Sequence, residues 1–314
     1  NNSGELYVDN SRVRENGANY AGGIGNYEGS THITNSFVSE NSAKTGGGIE
    51  NDEGLTTLAD TTVNDNWADE GAGISTDDLA TFIMLRSTVT NNTSYASGAG
   101  IRMGDGQTTV INSTISGNNA CDDGGGFYID QAGELEIYNS TITDNSANFA
   151  ARLGSCKNFG GNPSAEGGGI KESEGEVDLY NSILTLNRNY FSETETIADD
   201  CQGVLGTLHY SLLGVTTDCG FTNENTKIGQ DPKLGRLVVF GGSTETHALL
   251  EGSPAIDAGD PKGCKDHEGK LLTTDQRGEI RPSDGDLNGS SICDMGAYEL
   301  NLITAVHYLP YLNK

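Results

Sequence analysis

The pattern most able to do chemistry in this chain is Asp284-Gly285-Asp286-Leu287-Asn288-Gly289. Alternating oxygen-bearing side chains followed by glycine match the start of an EF-hand-like calcium loop, where hard oxygen donors surround a hard cation. The twelfth position, which such a loop fills with a bidentate glutamate, is Met295, and Asp294 stands one residue earlier as a substitute. Ca2+ held by Asp284, Asp286, Asn288 and Asp294 is one expectation. A plain Asx-rich turn is the other.

Lyase and hydrolase chemistry have weaker support. A polysaccharide lyase needs a base, usually Lys or Arg, and a cation or Arg to neutralise a uronate carboxylate. Arg12, Arg14, Lys44, Arg86, Arg102, Arg152, Lys157, Lys171 and Arg188 share no column. Arg152, Lys157 and Lys171 lie on or beside one insertion and form the best basic cluster, although solvated surface charge explains them as well. Glu15, Glu40, Asp65 and Asp144 do share a column. Both a carboxylate-pair hydrolase and a solvated acidic edge fit it. His32, His209, His247, His267 and His307 show no metal spacing, and His247 reads as a structural hydrogen-bonding residue. No Gly-x-Ser-x-Gly elbow occurs. No residue is assigned a catalytic role.

The elements that would position these residues come from a repeat. Asn16, Asn41, Asn66, Asn92, Asn118, Asn145 and Asn187 recur at intervals of 25, 25, 26, 26, 27 and 42 residues. Three residues before each stands an aliphatic: Val13, Val38, Val63, Val89, Ile115, Ile142 and Leu184. Two residues earlier again is a hydroxyl: Ser11, Ser36, Thr61, Ser87, Ser113, Ser140 and Ser182. A second apolar column runs Val8, Ile33, Leu58, Met84, Val110, Ile137 and Leu179. A third follows a glycine-rich corner: Ile24, Ile49, Ile74, Ile101, Phe127 and Ile170. A period in this range marks a solenoid. Short alternating stretches bounded by Gly and Asn are strands.

The expected fold is all-β: a right-handed, single-stranded parallel β-helix with three strands per coil of about 25 residues and a C-terminal cap. The ladder asparagines are expected at left-handed corners, with stacked amides and a stack of inward hydroxyls. The glycines repeat with the coils and no Lys closes them, which excludes a phosphate loop.

Composition agrees. A hydrophobic fraction of 34% is low for a globule but fits a thin solenoid core, and 44 glycines serve its corners. A net charge of −27 excludes nucleic acid as a partner. It favours divalent cations and disfavours anionic polysaccharide unless cations bridge. No apolar run is long enough to span a membrane. The chain begins inside the repeat, with Leu6 and Val8 in register, so a processed or trimmed terminus is expected.

Six cysteines are present, none in a Cys-x-x-Cys pair. The expected bridges are Cys121–Cys156, Cys201–Cys219 and Cys264–Cys293, each stabilising by about 3–4 kcal/mol in the chain-entropy picture. Six free thiols are the alternative. Bridges imply a secreted or cell-surface location.

The expected organisation is a β-helix over 1–225 with an insertion near 149–166, a cap over 226–299 and an apolar tail over 300–314. Two resemblances accompany this reading. Asn112-Ser-Thr-Ile-Ser-Gly-Asn118 and Asn139-Ser-Thr-Ile-Thr-Asp-Asn145, with their glycine corners, resemble bacterial surface β-helix proteins with polymorphic outer-membrane-protein-type repeats. "ADDCQG", "DPKLG", "GGSTETHALLEGSPAIDAGDP", "TDQRGEIRP" and "CDMGAYEL" are similar to the terminal region of choice-of-anchor Q β-helix proteins. The resemblance implies a secreted or surface-attached prokaryotic protein without assigned chemistry.

The functional expectation is a non-enzymatic structural protein, self-associating head to tail as a fibre subunit. The open first coil (Leu6, Val8) would meet the tail (Leu302, Ile303, Val306, Tyr308, Leu309, Tyr311). The alternative is a polysaccharide lyase or hydrolase, or an adhesin binding carbohydrate or another cell-surface ligand.

Overall fold

The computed structural model describes residues 1, 3–149, 165–190 and 195–302. They form a parallel β-solenoid of about seven turns with about 26 residues per turn. Each coil contributes one strand to each of three faces. The first face runs from Glu5–Asp9 through Ser30–Thr34, Leu55–Ala59, Ala80–Leu85, Gly106–Ile111 and Glu134–Tyr138 to Glu176–Tyr180. The second runs from Arg12–Arg14 through Thr88–Thr90, Thr114–Ser116 and Thr141–Thr143 to Lys227–Ile228. The third runs from Ile24–Asn26 through Ile49–Asp52, Ile74–Asp77 and Ile101–Met103 to Ile170–Glu172. One long strand, Cys201–His209, turns the corner between the third and first faces and joins them into a single sheet. A further two-residue strand follows the Asn corner, as at Trp67–Ala68, Thr93–Ser94 and Asn119–Ala120.

All three apolar columns point inward. Val38, Val63, Val89, Ile115 and Ile142 pair coil to coil in register, and they share one buried core with Ile33, Leu58, Met84 and Val110 and with Ile49, Ile74, Ile101 and Phe127. Each such side chain contributes about 1.5–3 kcal/mol of burial. Leu6, Val8 and Val13 in the first coil are only half-buried.

The asparagine column is a continuous amide ladder. Asn66 Nδ2 donates to Asn92 Oδ1 at 2.9 Å, and Asn66 N donates to the same oxygen at 3.0 Å. Asn92 repeats both bonds to Asn118, and Asn118 repeats them to Asn145. Each Nδ2 also reaches back to the carbonyl of the preceding coil's aliphatic residue, as Asn92 does to Val63 O at 3.1 Å. From Asn41 to Asn187 every rung is buried. The ladder ends on a residue the repeat does not show. Asp200 Oδ1 accepts from both Asn187 N and Asn187 Nδ2, at 2.9 and 3.0 Å. Burial pushes its pKa up to about 6.

The expected left-handed geometry belongs to other residues. No ladder asparagine has positive φ; the residue just before it does, as at Glu40 (56°), Asp65 (54°), Asn91 (55°) and Asp144 (56°). The ladder asparagines are needed for their amides rather than for their backbone. The hydroxyls also act differently from a hydroxyl-to-hydroxyl stack. Thr61 N donates to Ser87 Oγ at 3.1 Å, and Ser87 Oγ donates to Leu85 O at 2.9 Å. This relay repeats at Ser113, Ser140 and Ser182. The glycine corner is coupled to the ladder. A Cβ on Gly73 would lie 2.5 Å from Gly100 O and 2.9 Å from Asn92 Nδ2, so only glycine leaves the amide its place.

Residues 229–302 do not form another coil. They run back along the outer side of the second face, so the region expected as an end cap lies along the flank. Thr88 Oγ1 donates to Glu245 O, Asn112 Nδ2 to Thr274 O and Asn139 Nδ2 to Lys265 O. Phe240, Leu249, Met295 and Tyr298 form a second core with Ile183 and Leu212 of that face. Arg281, fully buried, donates to Glu299, Asn112 Oδ1 and Gly296 O. Disulfides join Cys201 to Cys219 and Cys264 to Cys293. The third expected bridge involves Cys156, which lies outside the described residues.

Asn92 offers a direct test of the ladder. Asn92→Ala removes two donors and one double acceptor from a buried row and should lower unfolding free energy by about 2–5 kcal/mol. Asn92→Asp should be similarly harmful at pH 8 but milder at pH 4. A buried carboxyl has its folded pKa raised above the unfolded value, so its cost is full above the folded pKa and fades as pH falls. Urea unfolding at both pH values, relative to the unaltered chain, measures this.

Candidate functional site

The outer side of the third face carries a cluster of interacting titratable groups. Two register columns place them. Glu50, Ser75, Arg102, Tyr128 and Lys171 follow one another coil by coil, and Asp52 pairs with Asp77 beside them. Strand alternation sends these side chains outward while Ile49, Ile74 and Ile101 fill the core.

Arg102 is the centre of the group. Its guanidinium lies 2.7 Å from Asp77, 2.6 Å from Asp130 and 3.3 Å from Glu70, with only 9% of the side chain exposed. Burial works against its charge, but hydrogen bonding and attraction from Asp77 and Asp130 outweigh that and raise its pKa. One cation so clamped leaves the neighbouring carboxylates uncompensated. Burial first, and then the Asp52 charge, push Glu50 up to about 7. Burial and the interaction with Asp78 push Asp52 up to about 6. Tyr27 Oη donates to Glu50 at 3.5 Å. Asp77, Asp78 and Asp105 bring carboxylate oxygens within 4.8 Å of one another. An open cleft of about 460 Å³ lies among Glu53, Asp78, Leu79 and Asp105. Chemically, a carboxyl half-protonated near neutrality beside ionised carboxylates can serve as a general acid with a base at hand.

Of these residues, sequence points only to Arg102 and Lys171, as cations weighed for lyase chemistry. The readable signal was the pair of acidic positions one and three residues after the glycine-corner isoleucine, Glu50 and Asp52, with Asp77 in the next coil. The sites that were singled out are dispersed. In the basic cluster, Lys171 pairs with Glu166 at 3.0 Å, while Arg152 and Lys157 lie outside the described residues. The acidic column Glu15, Glu40, Asp65 and Asp144 occupies the left-handed corner positions. There Glu15 pairs with Arg14 and Asp144 with Arg188.

The calcium-like loop brings together Asp284 and Asp286 and adds Asp257, again with oxygens within 4.8 Å. Asn288 donates to Asp286 Oδ2 at 2.8 Å through Nδ2, and its N–H reaches Asp284 Oδ1. Gly289 N donates to Asp284 Oδ2. These bonds are those of an Asx turn and leave further lone pairs for a cation. Asp294 does not join the set. It is buried, accepting from Asp257 N and Leu300 N, with its pKa raised by burial and by Glu299.

Comparison with protein-family models, with curated proteins and with solved structures gives no match. What is established is therefore a parallel β-solenoid with two disulfides joining pairs of described residues. The bridges suit a non-reducing, extracellular environment. Among the described residues no helix is long and apolar enough to cross a membrane.

Glu50 gives a pH-dependent test of the third face. Its folded pKa, about 7, exceeds the usual 4.5, so ionisation costs stability as pH rises between those values. Glu50→Gln should therefore raise Tm at pH 8 and leave it nearly unchanged at pH 4. The gain should be about 1 kcal/mol after allowance for solvent screening, or roughly 2 °C. Scanning calorimetry at both pH values measures it.

Proposed function

We propose that this protein is a secreted or cell-surface structural protein, a rigid β-helical element of the kind its sequence phrases resemble. The observation that supports this most is the uninterrupted amide ladder from Asn16 to Asp200, buttressed from the coil of Thr88 to that of Asn181 by residues 229–302. Such a rod resists bending because every coil is bonded to its neighbours through both backbone and buried side chains. In this reading copies associate head to tail. Among the described residues Glu5–Asp9 pairs on one side only, with Leu6 and Val8 half-buried, and its other edge is a template for strand addition. Leu302 is the last described residue of the tail; Ile303, Val306, Tyr308, Leu309 and Tyr311 lie outside the described residues. Calcium at Asp257, Asp284 and Asp286 belongs to the same proposal as a lock on the docked flank.

The second reading is binding or cleavage of an extracellular polysaccharide on the third face. It is favoured by Glu50, a proton-holding carboxyl beside Asp52 and Asp77.

Electron microscopy and sedimentation across a concentration series separate the readings. The structural proposal expects end-to-end assemblies that Leu6→Asp weakens and deletion of 300–314 abolishes. Monomers at every concentration would remove it. Calorimetric titration should show saturable calcium binding, lost in Asp284→Asn; no heat and no Tm shift would remove the cation. Release of reducing sugar from a polysaccharide panel, lost in Glu50→Gln, would instead establish the second reading.

A further inference from the structure

Where the docked flank crosses the second face, three hydroxyls stand in register. Thr90, Ser116 and Thr143 occupy the same outward position of successive coils. Ser116 Oγ lies 2.9 Å from His247 Nε2. The other ring nitrogen, Nδ1, lies 2.8 Å from Gly235 O. A carbonyl oxygen can only accept, so Nδ1 carries the proton and Nε2 presents its lone pair to the serine hydroxyl. A general base needs this tautomer to take a proton from a serine, and the backbone carbonyl supplies the orienting acceptor that a carboxylate supplies elsewhere.

The surroundings point to a ligand as well as to a fastening. Ser116 and His247 line an open cleft of about 410 Å³, together with Thr90, Asn91, Gly117 and Arg236. Thr90 Oγ1 and Thr143 Oγ1, on residues 1% and 0% exposed, flank Ser116 without a hydrogen-bond partner. A hydrogen bond that merely fastened the flank would not account for two buried hydroxyls left unpaired beside it. Burial lowers the His247 pKa, with Gly235 O and the Asp144 charge acting the other way, so the ring stays neutral and able to accept. Asp144 is itself paired with Arg188, and Arg236 is the other charged group on the cleft.

We propose that Ser116 and His247 are the nucleophile and general base of a site that hydrolyses small, uncharged O-acyl esters. Ser116 Oγ attacks the acyl carbonyl while its proton passes to His247 Nε2. The ester C–O bond breaks, and the departing alkoxide takes that proton and leaves as the alcohol. Water then attacks the acyl-serine and gives its proton to Nε2. The carboxylic acid leaves as Ser116 Oγ recovers the proton. Gly235 O is a positioning group, and the recessed serine, 2% exposed, restricts the acyl group to a short one.

The test uses the full chain. Treatment with a fluorophosphonate followed by digestion and mass spectrometry should find one phosphonyl adduct, on the peptide carrying Ser116. Hydrolysis of p-nitrophenyl acetate should run on the order of 10²-fold faster than in Ser116→Ala or His247→Gln. The rate should rise with pH through a value below 6.5, the ordinary histidine pKa. Circular dichroism checks that the variants are folded. If they are not, labelling of the unaltered protein decides alone. No adduct on Ser116, or unaltered hydrolysis in folded Ser116→Ala, overturns the proposal. Glu50 takes no part, so failure here is distinct from failure of either reading above.

Discussion

One buried amide per coil is the constraint on which the solenoid depends. From Asn41 on, each ladder asparagine accepts two bonds at Oδ1 and donates two from Nδ2, so it satisfies four polar groups inside a volume closed to water. Successive coils must then sit at the spacing of paired strands, about 4.8 Å. A serine would be too short and a glutamine too long to meet the next rung. The glycine corner follows from this, because a Cβ on Gly48 or Gly73 would occupy the place of Asn66 or Asn92 Nδ2. The left-handed residue before each asparagine follows too, since it turns the chain inward to deliver the side chain. Asp200 shows the same constraint at the far end. Where no further asparagine arrives, a carboxylate is buried to accept the last pair of donors, even though burial raises its pKa.

A solenoid interior is uniform, so individuality must come from what each face meets outside. The second face is occupied by the chain itself. Thr88, Thr114 and Ser116 there, which would be exposed in an undecorated helix, are buried under residues 229–302 and bonded to them. Gln276 shows how specific the contact is. Its Nε2 reaches Thr88, Thr244 and Glu245 O, while Thr114 Oγ1 donates to its Oε1. Polar docking of this kind depends on register more than on area, because each unmatched buried group carries a cost. The buried pairs Arg277–Asp275 and Arg281–Glu299 belong to the same logic, holding the flank segment in one conformation.

Much of the fold was legible because a repeat writes the same instruction many times. The three apolar columns, the Asn ladder, the hydroxyl column and the glycine corner are all periodic, and each maps to a stacked row. The flank was not legible. Thr88 with Glu245 and Asn112 with Thr274 are pairs more than 150 residues apart, and nothing local in either partner announces the other. The roles of residues within a legible row were also partly hidden. Sequence shows that asparagine recurs, but not whether its backbone or its amide is required; only the φ angles separate the two. The third-face carboxylates were hidden for a different reason. In a chain of net charge −27, another outward acid reads as solvated surface. What distinguishes Glu50 is its burial beside Asp52, a property of the coil stack and not of the residue.

The three faces are therefore unequal in what they can offer a partner. The first presents mixed polar and aromatic side chains, such as Tyr7 over His32 and Tyr138 over Tyr180, with the tyrosines hydrogen-bonded to neighbouring carboxylates. The second is covered wherever residues 229–302 reach, so chemistry there is confined to openings in the seam. The third is both open and electrostatically strained, because one clamped arginine stands among many carboxylates. Strain of that kind is relieved by protons, by cations or by a hydroxyl-rich ligand that donates hydrogen bonds. Burial beside Asp52 pushes the Glu50 pKa up to about 7 for this reason. Stiffness and a reactive face are nevertheless compatible on this architecture. The ladder fixes each outward side chain relative to those one coil away, so the groups of the third face keep the spacing that the coil stack sets.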